Sequence, residues 1–374
     1  LQHGLFPAPR TGAADILSGL DPEQRRAVTH PSGPILLVAG AGSGKTRAIV
    51  SRIARLLHEG VPARSIVGIT FTNRAAEEMR ERVAKMFPGR KEMPWLGTFH
   101  AYGAMLLRRY GSRIGLPPGF LIYDARDQAD VLKTILKEQN IDEKKFPYRK
   151  FADLIERAKR GGKSIEDAAL EAGWLFVGKA EIVSKAYDEA LAAAGAIDFT
   201  DLIRLPVRLF REAPEVLETV RRDTRHLLVD EFQDVDGLQS TLTKLLATGA
   251  DSFCAVGDED QSIYGWRGGS AGPMLSFERD YPGATVIHLA TNYRTVSSIL
   301  SAAGAVIAKN SARRDKRIVA AREGGDPPVV RIYNDGDAEA REVAMAIATE
   351  IHRGTGPSDI AVFYRINSQS RAFE

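Results

Sequence analysis

"ILLVAGAGSGKTRAIVSRIARLL", Ile35 to Leu57, decides the fold. Its first residues are a short apolar run of the kind that forms a buried strand, and its last residues repeat apolar side chains at helical spacing, with Ile49, Ile53, Leu56 and Leu57 on one face. Between them lies a glycine-rich turn. Gly40, Gly42 and Gly44 let backbone N–H groups close around phosphate oxygens at a helix N-terminus, where the dipole favours an anion. Lys45 adds a point charge there, and Thr46 supplies a hydroxyl for Mg²⁺. The strict phosphate-loop pattern has Gly where this chain has Ala39. Strand, loop and helix together still predict a nucleotide phosphate site over Ala41, Gly42, Ser43, Gly44, Lys45 and Thr46.

A second apolar run ends in "HLLVDEFQD", which delivers Asp230 and Glu231 to the carboxyl end of a strand, the edge that faces the ligand crevice in a parallel sheet. Asp230 is expected to hold Mg²⁺ and Glu231 to orient and deprotonate the attacking water. Further apolar runs, Ile66–Thr70, Phe253–Val256, Val286–Leu289, Val329–Ile332 and Ile360–Phe363, alternate with helical patterns and predict an α/β architecture with a parallel sheet. From Gly103 to Ala194 the pattern turns helical, as in Arg126–Gln139 and Ile182–Ala193, with no convincing strand. This reads as an inserted all-helical domain.

Composition narrows the partners. The 374 residues include 51 basic and 48 acidic side chains, a net charge of +3, so a nucleic-acid surface has to be local rather than global. Cys254 is the sole cysteine, no Cys/His cluster has zinc spacing, and a reducing compartment follows. No apolar run approaches the ~18 residues of a membrane span. The chain therefore reads as cytoplasmic, with no membrane partner.

"LDPEQRRAV", Leu20 to Val28, contains Gln24, whose amide pairs a donor with an acceptor as the N6 and N7 edge of adenine requires. "VGDEDQSIYGWRGGS", Val256 to Ser270, joins acids and Gln261 to Tyr264, Trp266 and Arg267 within one loop. Taken in order, "LDPEQRRAV", "AGAGSGKTR", "ITFTNRAAEEMRERV", "GTFHAY", "DEFQD", "GDEDQSIYGWRGG", "NYRT" and "VFYRINSQSRAFE" resemble the motifs of the UvrD/PcrA/Rep family of superfamily 1 DNA helicases, from Leu20 to Glu374.

That resemblance implies two RecA-like domains with ATP between them. Gln24, Arg47 and Tyr293 would enclose adenine, Gln261 would sense the γ-phosphate, and Arg294 would reach it as an arginine finger supplied in cis. Single-stranded DNA would lie on Phe71, Asn73, Thr98, His100, Tyr264, Trp266 and Arg267, since every base offers a π-face for aromatic stacking. Arg74, Thr200 and the Ala290-Thr291 pair depart from the family's commoner residues.

The expected organisation is a flexible tail over 1–19, a first RecA-like P-loop NTPase domain over 20–113 and 191–280, the helical insertion over 114–190, and the incomplete beginning of a second RecA-like domain over 281–374. The function implied is an ATP-dependent 3′-to-5′ DNA helicase and translocase that uses ATP and Mg²⁺ at single-strand/double-strand junctions, in repair or replication and with protein partners from those pathways. As an N-terminal portion, the chain is expected to bind nucleotide and unwind duplex poorly. The helicase part of a helicase–nuclease and a DNA-binding module without turnover are the alternatives.

Overall fold

The computed structural model describes residues 13–265, 268–311 and 313–374. Its central feature is a six-stranded sheet in the order β3 (Trp95–Thr98), β2 (Ile66–Thr70), β6 (His226–Val229), β7 (Ser252–Gly257), β1 (Gly33–Ala39), β8 (Thr285–Leu289). All its pairings are parallel. Both faces are covered, as the continuous apolar runs require. Ile35, Leu37, Cys254 and Val256 face the helices Lys45–His58 and Asn73–Met86 through Ile49, Ile53, Met79 and Val83. Their chain neighbours Leu36, Val38, Phe253 and Ala255 point the other way, onto Leu106, Ile203, Phe210 and Leu242. Period-two alternation thus feeds two cores from one set of strands. Each fully buried Ile or Leu contributes about 1.5–3 kcal/mol. Cys254 is fully buried in β7, and burial pushes its thiol up to about 11.

The helical insertion follows its sequence pattern. Helices Ala125–Glu138, Tyr148–Gly161, Ile165–Ala172 and Val177–Ala193 enclose a core of their own around Leu132, Leu136, Phe151, Leu154, Val183 and Tyr187. One short strand was not expected there: β4 (Leu121–Tyr123) pairs in parallel with β5 (Ala196–Asp198) at the neck of the insertion.

Other differences arise at the edge of the main sheet and beyond it. The strand after the Tyr281–Gly283 turn, expected to open a second α/β set, runs along β1 as the edge of the first sheet. Beyond it β9 (Thr291–Val296) pairs with β10 (Val319–Arg322). Val329–Ile332 and Ile360–Phe363, expected as strands, are not: Val330 is 88% and Phe363 93% exposed. An apolar run becomes a strand only where a neighbouring backbone satisfies its hydrogen bonds. In the segment expected to be a tail, Ala13–Leu17 form a helix with Ile16 buried, and Arg47 and Arg25 donate to the carbonyls of Ser18 and Leu17. Residues 1–12 lie outside the described residues. Contacts divide the chain into a large unit through Glu323 and a small one, Gly324–Glu374, built on the helix Gly336–His352.

Candidate nucleotide and DNA sites

The loop between β1 and the helix Lys45–His58 turns on Gly42 and Gly44, whose φ angles of 72° and 85° are left-handed and favour glycine. Gly44 provides no side-chain cap for the helix. Each loop carbonyl is held from behind. Gly40 O accepts from Ser43 N–H and Oγ, Ala41 O from Asn292 Nδ2 at 2.6 Å, Gly42 O from Tyr293 N–H at 2.9 Å, and Ser43 O from Gln24 Nε2 at 2.9 Å. With the carbonyls anchored this way, and the Ser43 N–H turned back onto Gly40 O, the cradle falls to the other N–H groups of the loop, which suits an anion.

Lys45 sits at the centre. Its Nζ lies 3.3 Å from Glu231 Oε2 and donates to Gln261 Oε1 at 3.3 Å. Side chains that follow β1, β6 and β7 therefore converge beyond the carboxyl ends of these strands, where a parallel sheet places its ligand. Glu231 holds this position with a left-handed φ of 51°, a backbone strain that non-glycine residues keep where the surroundings enforce it. Asp230 is 5% exposed, and burial, then the neighbouring Glu231, pushes its carboxyl up to about 7 against the pull of Lys45. A desolvated carboxyl beside a like charge is a good fit for a divalent cation. So is the adjoining Thr70, whose buried Oγ1 has no hydrogen-bond partner. Asp234 is raised to about 6 by burial and by Glu231.

Gln233, to which the sequence reading gave no role, ties these strands together. It is 1% exposed, donates to Glu231 Oε2 and Asp234 Oδ2, and accepts from the Asp258 N–H at 3.0 Å. Its signal was available in "DEFQD": a long amide flanked by acids at a strand end. Gln24 is buried too. Its amide donates to Ser43 O and accepts from Asp21 N–H within a helix capping box, so its polar ends are engaged with protein. The other residues expected around the nucleotide are at the surface: Arg47 and Arg294 are exposed, and Tyr293, 45% exposed, donates to Asp21 Oδ2.

Three of the residues expected to meet DNA lie in two ring pairs. Phe71 and Tyr264 have centroids 4.6 Å apart, and His100 stacks at 4.5 Å on Phe199. Phe199 was not anticipated, although a 53% exposed aromatic in "IDFTDL" is its signature. Burial, with a smaller contribution from Arg160, lowers His100 to about 4, so the ring is neutral at physiological pH. Asn73 is exposed at the start of its helix. Thr98 is 8% exposed, and its hydroxyl accepts from Ala101 N–H as a helix cap. Trp266 and Arg267 lie outside the described residues.

Among the described residues, no helix is long and apolar enough to cross a membrane. Residues 20–282 match the UvrD/REP helicase N-terminal domain and residues 287–374 the UvrD-like helicase C-terminal domain. The turn at Tyr281–Gly283 thus separates two family segments without separating two sheets. Over 364 residues the chain is 42% identical to the ATP-dependent DNA helicase PcrA of Staphylococcus aureus, covering 96% of this chain and 49% of that protein. The PcrA of Staphylococcus epidermidis is equally similar, 42% over 360 residues. The chain spans about half the length of these relatives. On that agreement of sequence and site, the chain belongs to the UvrD/REP helicase family.

Proposed function

We propose that the protein carrying this chain is an ATP-driven DNA helicase that moves 3′-to-5′ along single strands and opens single-strand/double-strand junctions in repair or replication. What supports this reading above all is the convergence of Lys45 on Glu231 and Gln261 beside a phosphate loop whose carbonyls are held from behind. Loop N–H groups and Lys45 bind the β- and γ-phosphates, Glu231 orients the attacking water and takes its proton, and Arg294 stabilises charge on the equatorial oxygens. Thr46 and Asp230 would hold Mg²⁺, which would supply neutralising charge to the phosphates. Tyr293 stacks on adenine, with Gln24 and Arg47 at its edge.

Single-stranded DNA stacks on Phe71, Tyr264, Trp266 and the His100–Phe199 pair, with Asn73, Thr98 and Arg267 toward the backbone; such contacts hold a strand without reading sequence, at ~1–3 kcal/mol per base. In this reading residues 20–113 and 191–280 form the first RecA-like domain, whose sheet is completed by β8, 114–190 its insertion, and the chain beyond β8 the start of the second. The test is DNA-stimulated ATPase. Lys45→Ala is expected to lower kcat by at least 10²-fold, and turnover that survives the substitution would sink the reading.

A further inference from the structure

Behind the phosphate-sensing end of the site lies a buried ion cluster with no role in the reading above. Asp258, Glu259 and Asp260 follow β7, and their carboxylate oxygens converge. A lysine from the second family segment fills the convergence. Lys316 Nζ, its side chain 4% exposed, lies 2.8 Å from Asp260 Oδ2 and 3.1 Å from Glu259 Oε1, and it donates to Asp258 Oδ1. Arg313 adds a second cation on Asp260 at 3.1 Å, and Asn310 donates to the same carboxylate. Burial opposes the charge on Lys316, but hydrogen bonds to Asp258 and Asp260 carry its pKa above the ordinary lysine value. It is a cation throughout the physiological range.

The contact continues into the site. The other oxygen of Asp258, Oδ2, accepts from Gln261 Nε2 at 2.5 Å, and Gln261 Oε1 accepts from Lys45 Nζ at 3.3 Å. Asp258 is thus gripped on one side by Lys316 and on the other holds Gln261. Its backbone N–H is fixed separately by Gln233. Two residues past Lys316, Ile318 packs on the phosphate loop so closely that a Cβ on Gly40 would lie 2.4 Å from its Cδ1. One short segment therefore touches both the loop and the sensor.

We propose that Lys316 is a positioning residue for ATP hydrolysis: it fixes the Asp258 carboxylate so that Gln261 stays against Lys45, making the sensor depend on the second family segment. This rests on the ATPase reading above. Removing the ammonium leaves three buried carboxylates short of a partner, and the Asp258 carboxylate turns away from Gln261.

The test is a double-mutant cycle in the full protein, following DNA-stimulated ATPase. Lys316→Met is expected to lower kcat about tenfold with KM for ATP within about twofold, because the phosphate loop keeps its own contacts. Lys316→Arg is expected to recover most of the loss. In a Gln261→Ala background Lys316→Met should cost nothing further. An unchanged kcat, or the same loss in both backgrounds, overturns the inference. Should Lys316→Met fail to fold, the cycle is run with Lys316→Gln, whose neutral amide cannot replace the ammonium charge among the three carboxylates, and additive losses again overturn it. A crystal structure of the folded Lys316 variant gives a readout independent of turnover: Gln261 released from Lys45 supports the proposal, and Gln261 unmoved overturns it. Wild-type protein without Lys45-dependent turnover would instead overturn the functional reading alone.

Discussion

Asn292 does at one position what a motif comparison cannot describe. Its Nδ2 donates to Ala41 O, while its Oδ1 accepts from the N–H groups of Arg294 and Thr295. Asn292→Asp keeps the two acceptor contacts, so the local turn survives, but it sets a carboxylate oxygen against a carbonyl in a site 1% exposed. An unsatisfied pair of this kind costs about 1–3 kcal/mol. ATP affinity is expected to fall about tenfold by calorimetric titration, and a Kd within a factor of two would remove Asn292 from the loop's support. His100 supplies a pH test. Its folded pKa, about 4, lies below the ordinary 6.5, so the unfolded chain binds the extra proton first and stability falls as pH drops from 6.5 toward 4. The His100→Gln protein, neutral throughout, should lose roughly 2 kcal/mol less between pH 7 and pH 5 in urea titrations. Matching profiles would mean that the ring titrates in the fold as it does in water. The places of Lys45, Asp230 and Glu231 at helix and strand ends were legible because the glycine-rich turn and the apolar runs that carry them are local patterns. Asn292 and Lys316 were not, because each works through a partner 251 or 58 residues away.

The elements were easiest to read where their own periodicity decided them. Strands β1, β2, β6 and β7 and the helix after the phosphate loop form where apolar spacing put them. Val329–Ile332, interrupted by Arg331, and Ile360–Phe363 are mainly apolar runs without a strand beside them, and pairing is a property of two segments, not one. Helix packing shows the same dependence at Gly103, where the helix Phe99–Tyr110 crosses Asp201–Glu212 so closely that a Cβ would lie 1.8 Å from the Leu202 carbonyl oxygen. These two helices flank the insertion in sequence, so their contact closes its neck. Gly103→Ala forces the backbones apart and is expected to cost about 1–3 kcal/mol. Denaturant midpoints would show it, and an unchanged midpoint would mean that the crossing relaxes freely.

At the scale of the molecule, the contacts of the phosphate loop and of Asp258 reach Ile318 and Lys316, well past the Tyr281–Gly283 turn. Contacts divide the chain later, at Glu323. Residues 323–332 carry no regular structure and are exposed, the setting in which proteases cut first. Trypsin is expected to cleave after Arg322 or Arg331, beside the boundary of the two units, before it cuts elsewhere in either. The larger product should bind ATP within about twofold of the uncut chain, because Gln24, Lys45, Tyr293, Arg294 and Lys316 all precede the cut. Loss of nucleotide binding on that first cleavage would assign part of the site to Gly324–Glu374.

The sequence by itself determined the α/β class, the phosphate loop, the acidic strand end and the helical insertion. Those follow from local rules: period two for a strand, period 3.6 for a helix, glycine for left-handed φ, and a fixed residue set for phosphate chemistry. Only the tertiary structure decided that β8 completes the first sheet, that Asn292 and Tyr293 hold the loop carbonyls, and that Lys316 grips Asp258. Each of these joins groups far apart in the chain, and the free energy of burying and pairing them is set by the assembled surroundings rather than by either sequence neighbourhood.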